Sequence, residues 1–313
     1  MELFIPTSST DGTCDVFVGL FKDAGVPTFR WNVDLWEHYE VRIDNDRCEF
    51  VDPTGRSVDL YNDDVFLLWR KPFVELAVES QQRLSSENWE FAKSELRQIL
   101  LSVDAIFRVR WRTVFIEPHA DRRLPKLLQL KIAREFFDVP VYAFSVRENM
   151  LDDPIIIKPL GNPRVGRNIF YTTKSPSASL LRPFPWFSQQ AILGGSDITC
   201  VYLGGEVNFF QCEFIRSPAS IDWRKEIGSE NQSLWKPVHL GDAISEATQR
   251  LMGKFDLAYG RLDFIKEGEK LYFLECNSNG QFGWLDDSEL RLHRRFAALV
   301  IECCRRQKGS RNI

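Results

Sequence analysis

Gly260-Arg-Leu-Asp-Phe-Ile265, a short polar gap, and Leu271-Tyr-Phe-Leu-Glu-Cys-Asn-Ser-Asn-Gly280 decide how this chain is read. Leu262 and Phe264 alternate with Asp263, while Tyr272, Leu274 and Cys276 alternate with Glu275 and Asn277. This period of two predicts two strands joined by a tight turn at Glu267-Gly268-Glu269. If the apolar side chains share one face, Asp263, Glu275 and Asn277 share the other. Three oxygen donors then converge on rigid backbone, which is how a hard cation such as Mg2+ is held beside a nucleotide phosphate. A polar, solvent-facing sheet side is the other outcome of the same pattern. Against it, Asn277-Ser-Asn-Gly280 directly follows an apolar strand, where functional residues are often placed.

The rest of the chain sets the frame. Its 313 residues suffice for a large core and two or three lobes. Charges are plentiful and nearly balanced at a net of −4, which argues against a general nucleic-acid binder. No apolar run approaches the roughly 20 residues of a membrane span, so no membrane partner is expected. Met1-Glu-Leu-Phe-Ile-Pro-Thr7 lacks the basic and apolar regions of a signal peptide. The seven cysteines form no C-x-x-C pair and are odd in number. A reduced, cytoplasmic protein without structural zinc follows.

Along the chain, the first third has the pattern of a small α/β unit. Leu3–Ile5, Thr28–Trp31 and Val65–Trp69 read as strands, Asp15–Ala24 and Glu87–Val103 as helices, and Val41–Leu60 as a hairpin around Asp52-Pro-Thr-Gly55. The middle third offers a helix over Leu124–Phe137, strands over Val139–Phe144, Ile155–Lys158 and Ile169–Thr173, and a Ser/Pro-rich linker over Ser175–Pro185. The last third continues with strands at Ala191-Ile192, Ile198–Leu203 and Val207–Phe214. A helix over Ile244–Leu257, the Asp263 hairpin and a closing helix over Asp286–Arg305 follow.

Several positions could carry chemistry. Lys158 ends an apolar strand before a loop with Gly161 and Gly166, where backbone N–H groups could approach phosphate oxygens. A solvated lysine fits the same spacing. Lys126 shares a helix face with Leu130 and Lys131 does not, and a solvated face accounts for both equally. Asp222-Trp-Arg224 could orient a guanidinium for carboxylate or phosphate recognition, or be a surface ion pair. A Walker A loop, a G-x-G-x-x-G turn, a G-x-S-x-G elbow and an H-E-x-x-H helix are all missing.

Taken in order, these segments resemble the ATP-grasp ligases, and among them the graspetide, or microviridin-type, peptide maturases. Leu124-Pro-Lys-Leu-Leu-Gln-Leu130 is similar to that family's N-K-L-x-Q-L helix start, and Ile155-Ile-Ile-Lys-Pro-Leu160 to its strand with the second nucleotide lysine. Tyr171-Thr-Thr-Lys174 resembles its Y-T-T-x strand, Gln189-Gln-Ala-Ile192 its adenine hinge, and Asp222-Trp-Arg224 its D-W-R motif. Gly260-Arg-Leu-Asp-Phe264 and Leu274-Glu-Cys-Asn-Ser-Asn-Gly-Gln281 resemble its metal-binding hairpin. The likeness covers roughly residues 115 to 285 well and the N-terminal lobe loosely.

The resemblance implies an α/β (α+β) ATP-grasp fold: an N-terminal lobe over 1–117, a central subdomain over 118–188 and a C-terminal subdomain over 189–313, the last two gripping ATP between antiparallel sheets. It implies ATP and Mg2+ as cofactors. Lys126 and Lys158 would contact phosphate and adenine, and Gln189, Gln190, Ala191 and Ile192 would hold adenine largely through backbone groups. Asp263, Glu275 and Asn277 would hold the metal. Arg224, with Lys158, would act in catalysis on an acyl phosphate or substrate carboxylate. The implied partner is a ribosomal precursor peptide, leader plus acidic and hydroxyl-bearing core, cross-linked through esters or amides, and a homodimer is compatible with the family. A ligase for free amino acids or small peptides, and a non-catalytic nucleotide-binding module, are the competing readings.

The chain also departs from the family pattern. Asp197-Ile-Thr-Cys200 stands where the family has D-[IL]-R-[VF], so Thr199 replaces an arginine that helps bind phosphate. The hinge acid is Gln190, charged residues after the hinge give way to Leu193-Gly-Gly195, and Ser278 stands where proline is common.

Overall fold

A computed structural model describes residues 1–146, 151–152, 154–161, 164–165, 168–169, 172–175, 183–215 and 234–309. It separates into two compact units, Met1–Pro118 with Asp286–Ile313, and His119–Leu285.

The first unit is built on three parallel strands. β1 (Glu2–Thr7) lies between β2 (Thr28–Asn32) and the strand Val65–Leu67. Helix α1 (Gly12–Asp23) connects β1 to β2 and starts where the Asp11 carboxylate accepts the Cys14 N–H at 3.3 Å, an ordinary N-cap. A separate antiparallel sheet of β3 (Glu40–Ile43), β4 (Cys48–Val51) and β5 (Ser57–Asp59) follows. The predicted Asp52 turn joins its last two strands, with Gly55 at φ +85°. After β6 (Val65–Leu67), helices α2 (Val78–Arg83) and α3 (Ser86–Val109) complete this part. Phe4 lies at the centre, its ring 4.9–6.3 Å from those of Phe29, Trp31, Phe50 and Phe107.

The C-terminal helix, Arg291–Gly309, belongs to this unit and not to a lobe beginning at 189. The reason is apolar: Phe296 stacks on Phe17 of α1 at 4.2 Å and meets Phe115 edge-on at 5.0 Å. The helix also starts later than Asp286. Instead of being helical, Asp286 turns its carboxylate onto the N–H groups of Leu292 and His293, each at 2.9 Å, and onto the His293 ring.

In the second unit, α4 (Ala120–Arg123) and α5 (Lys126–Ala133) precede β7 (Tyr142–Ser145). Both α5 and β7 are shorter than the pattern predicts. Pro125 sets the helix start, and Pro140, with no N–H to donate, delays the strand. β8 (Ile155–Ile157) is followed by the short pair β9 (Arg164–Val165) and β10 (Asn168–Ile169), then β11 (Thr173–Ser175) and β12 (Trp186–Gln190). Of the expected strand Ile169–Thr173, Ile169 lies in β10 and Thr173 in β11, and Phe170 and Tyr171 lie outside the described residues. A four-stranded antiparallel sheet results, in the order β11-β8-β12-β7.

The larger sheet holds β13 (Ser196–Leu203), β14 (Glu206–Ile215), β15 (Trp235–Val238), β16 (Tyr259–Glu267) and β17 (Lys270–Asn277), ordered β15-β14-β13-β16-β17. Helix α6 (Asp242–Phe255) lays Thr248, Leu251, Met252 and Phe255 onto it. Leu262, Phe264, Phe273 and Cys276 line the core beneath, and Phe264 packs its ring 5.1 Å from Phe137 and 5.6 Å from Phe273. Gly194 at φ +85° and Gly195 lead into β13. A Cβ on Gly195 would meet the Lys266 carbonyl oxygen at 2.8 Å, so only glycine lets β13 begin against β16 there.

Asp286 is almost fully buried, at 2 % exposure. Burial pushes its carboxyl up, but the bonds from His293 and the three backbone N–H groups outweigh this and hold it below its ordinary value. Its contribution to stability is therefore complete above about pH 4, the unfolded value, and is lost as the pH falls further. Asp286→Asn is expected to flatten the acid limb of the stability–pH curve below about pH 4, measured by urea unfolding as the pH is lowered.

Candidate nucleotide and metal site

The hairpin forms as predicted, with the turn at Glu267-Gly268-Glu269 and Gly268 at φ +57°. Asp263 lies directly opposite Glu275, and Arg261 opposite Asn277. All four thus share one face. The apolar face differs from the expected one. Between the Asp263–Glu275 and Phe264–Phe273 pairs the register shifts, leaving Leu274 as an extra residue in β17. This bulge turns Phe273 and Leu271 into the core in place of Leu274 and Tyr272, while Cys276 keeps its predicted inward place.

The edge of β17 is covered by the segment carrying Lys126. Gln129 is buried, and its amide treats Cys276 as a strand neighbour would: Nε2 donates to the Cys276 carbonyl at 3.0 Å and Oε1 accepts the Cys276 N–H at 2.8 Å. A further bond from Nε2 to the Leu124 carbonyl, at 2.8 Å, fixes the amide. Lower down, the Phe273 N–H donates to the Asp138 carbonyl at 2.9 Å. These bonds place Lys126, one helical turn before Gln129, beside Glu275: Nζ lies 2.7 Å from Oε2 and 3.3 Å from the Pro159 carbonyl. Lys131 points away and is exposed.

Lys158 follows β8, and its N–H donates to the Phe187 carbonyl at 3.4 Å. Ile156 and Gln189 are directly opposed in register, so Lys158 lies on the same face, two residues on. Its charge reaches Glu275. Burial pushes the Glu275 carboxyl up, but Lys126, Lys158 and Arg261 together hold it well below the usual carboxylate range. Glu275 is therefore an anion surrounded by cations, which is also the setting a phosphate would find.

Asp263 is braced from two sides. Thr199, opposite it on β13, donates its hydroxyl to Oδ1, and Arg261 Nη2 donates to Oδ2 at 2.9 Å. Thr199 thus helps to hold the Asp263 carboxylate in place. Asn277 Oδ1 accepts the Asn279 N–H at 3.2 Å, and the chain then turns through Gly280. A Cβ on Gly280 would lie 2.7 Å from that of Arg261, so glycine is needed for the loop to pass over β16.

Two carboxylates and an amide oxygen on adjacent strands are hard donors, and each bonded carboxylate oxygen keeps a lone pair, so the residues fit Mg2+. No group of three or more His, Cys, Asp or Glu able to hold a metal exists among the described residues. The donor set here has only two such members.

At the hinge, two backbone N–H groups are already engaged: that of Gln190 with the Val141 carbonyl at 2.7 Å, and that of Ala191 with the Pro154 carbonyl at 3.0 Å. The Gln189 amide differs. It is fully buried, and among the described residues neither its nitrogen nor its oxygen has a partner. Ala191 and Leu193 pack with Ile156 alongside, and Ile192 is buried too. Asp222, Trp223, Arg224, Pro163, Gly166 and Tyr171 lie outside the described residues. At Gly161 a Cβ would meet nothing within 4 Å, so no close approach requires glycine there.

Gln129, Thr199 and Arg261 were not predicted as parts of the site. The signal for Arg261 was its period-two spacing from Asp263, and for Thr199 its place in the neighbouring apolar strand. For Gln129 the signal was its place in the Leu124–Leu130 motif, while its partner, 147 residues away, could not be read from one sequence.

No protein-family model matches the chain, and no curated protein sequence matches it. Solved structures do. The RiPP-associated ATP-grasp ligase of Chryseobacterium gregarium, in complex with ADP and a leader and core peptide, has a TM-score of 0.79 at 22 % identity, covering 96 % of this chain and 97 % of that one. The macrocyclase MdnC of Microcystis aeruginosa, bound with precursor peptide MdnA, has a TM-score of 0.78 at 20 % identity over 96 % and 100 %. D-alanine–D-alanine ligase of Bacillus anthracis, complexed with ATP, has 0.54 at 12 % over 99 % of each chain. The chain has the ATP-grasp fold, as its motifs imply, in an α+β arrangement. No helix among the described residues is long and apolar enough to cross a membrane.

Replacing Gln129 by Met keeps its approximate length but strips three buried hydrogen bonds and leaves the Cys276 backbone groups unpaired. The expected cost is about 2–6 kcal/mol of stability in urea unfolding, at about 1–3 kcal/mol for each of the two orphaned Cys276 groups.

Proposed function

We propose that this protein is an ATP-dependent ligase that activates side-chain carboxylates of a ribosomal precursor peptide and closes them onto hydroxyl or amine side chains of the same peptide. The observation that carries this reading is the Lys126–Glu275 pair beside Asp263, Asn277 and Lys158. It puts fixed cations and hard oxygen donors on one face of an ATP-grasp sheet. The peptide substrate draws support from the ligases of similar fold that were solved with leader, core or precursor peptides.

A carboxylate oxygen is a poor leaving group, and phosphorylation changes that. The substrate carboxylate attacks the γ-phosphorus of ATP, and the bond to ADP breaks. A hydroxyl or amine then attacks the acyl carbon, loses its proton and expels phosphate. The chain's part is positioning and charge neutralisation. Lys126 and Lys158 would take phosphate oxygens. Asp263, Glu275 and Asn277 would hold Mg2+, which would supply charge neutralisation to the phosphates. The Gln189 amide, which has both donor and acceptor unspent, adds side-chain recognition of the base to the Gln190–Ile192 hinge. Arg224 is assigned to the substrate carboxylate through its D-W-R motif. The chemistry fits a cytoplasmic enzyme supplied with ATP.

Incubating the protein with ATP, Mg2+ and a short peptide encoded beside it, rich in Thr and Glu or Asp, should remove one water per link, read by mass spectrometry. An unchanged peptide mass accompanied by ADP formation on free amino acids would transfer the assignment to a small-molecule ligase. Glu275→Gln should lower product formation by at least about 100-fold. Its fold, followed by circular dichroism, should stay near wild type because the hairpin is fixed by its core face.

A further inference from the structure

Helix α3 buries Trp89, Leu96, Leu100, Val103 and Phe107, which define its inner face. The opposite face runs through Glu87, Phe91, Ser94, Gln98, Leu101 and Ala105 to Val109, at the spacing of a helical contact seam, and all of these are exposed. The outer side of a helix is ordinarily lined with charges, but this line carries one, at Glu87. Phe91 and Val109 on it are 68 % and 80 % exposed. Just past the helix, Trp111 is 81 % exposed and has a left-handed backbone at φ +55°. It occupies the left-handed position of a Schellman turn, its N–H donating to the Arg108 carbonyl at 3.0 Å and the Arg112 N–H to the Phe107 carbonyl at 2.9 Å. Glycine is the residue this position favours. A tryptophan there is strained, and with its ring in solvent it gains little burial in return.

We infer that this face of α3 docks onto α3 of a second copy of the chain, antiparallel, with Gln98 on the two-fold axis. Such an axis sets residues equally distant from Gln98 against each other. The Phe91 ring then meets Ala105, Ser94 meets Ser102, and Trp111 lies over Ser85 at the start of the other helix. A large ring against a small side chain, and small against small, let the two helices approach closely. Gln98 meets its own copy, and a carboxamide is its own complement, since each can donate an N–H to the oxygen of the other. Charge sets the direction. Antiparallel pairing brings Glu87 beside Arg108 and Arg110 of the second copy, whereas parallel pairing would oppose Glu87 to Glu87. Burial of Phe91, Val109 and Trp111 in this contact offsets the strain at Trp111. The inference does not depend on the ligase reading.

The test follows the mass of the full chain by sedimentation equilibrium. Wild type should pass from monomer to dimer between about 1 and about 100 µM. Gln98→Glu and Gln98→Lys each place like charges on the axis, and each variant alone should dissociate at least about tenfold more readily. An equimolar mixture of the two should recover the dimer, because opposite charges then meet. Ala105→Glu, which sets a carboxylate against the Phe91 ring, should weaken the dimer to a similar degree. Positions 98 and 105 are exposed, so the variants should keep the wild-type circular dichroism. A wild type that stays monomeric at about 100 µM overturns the inference without recourse to any variant. Dimers of wild-type strength from Gln98→Glu and from Gln98→Lys alone place the contact elsewhere and overturn it as well. So does a mixture that remains monomeric when each variant alone is monomeric, since residue 98 then does not meet its own copy.

Discussion

The exchange of hydrogen bonds between the Gln129 amide and the Cys276 backbone is the constraint from which the site follows. β17 is the outer strand of its sheet, and an outer strand presents unpaired N–H and C=O groups. A side-chain amide satisfies one such pair, and the Phe273 bond to Asp138 satisfies the next N–H. Covering this edge aligns α5 with the strand. The alignment brings the Lys126 ammonium group against Glu275. A charge pair set this way needs no energy of its own to find its geometry, because neutral hydrogen bonds and the buried Leu130 and Ala133 have already fixed it.

The bulge at Leu274 answers a conflict within β17. Strict alternation would put Phe273 on the face of Glu275 and Asn277, exposing a large ring among charges. One extra residue resolves this. Phe273 turns to Phe264 and Phe255, and Glu275 and Asn277 stay opposite Asp263 and Arg261. The strand thus changes which parity faces the core halfway along its length, at the point where the polar cluster begins. Bulges beside functional groups commonly re-aim side chains in this manner.

Much of this was legible in the chain. The hairpin, its turn and the joint placement of Asp263, Glu275 and Asn277 follow from period two and from Gly268. The β-α-β start and the helix at Asp242–Phe255 follow from apolar spacing and caps. The rest depended on distance. Alternation cannot reveal a bulge, since Leu274 is as apolar as a core residue. The docking of the C-terminal helix rests on Phe17 against Phe296, and neither residue differs in kind from many other phenylalanines of the chain. Thr199 seemed a loss when measured against an arginine. In place it is a hydroxyl donor to Asp263, a role visible only once β13 and β16 are set in register.

Thr199 and Arg261 belong to one electrostatic arrangement around Asp263. A guanidinium on β13 at position 199 would sit directly across from Asp263, whose other oxygen already takes the Arg261 bond. Two guanidiniums on one carboxylate would raise the positive charge of the face and saturate Asp263 with charged donors. A threonine there donates one neutral hydrogen bond and nothing more. Burial of Arg261 works against its charge, and the Asp263 carboxylate more than offsets that, so the guanidinium stays fully protonated while packed on Trp284. One cation on β16 with a neutral brace on β13 therefore holds Asp263 as firmly as two cations would.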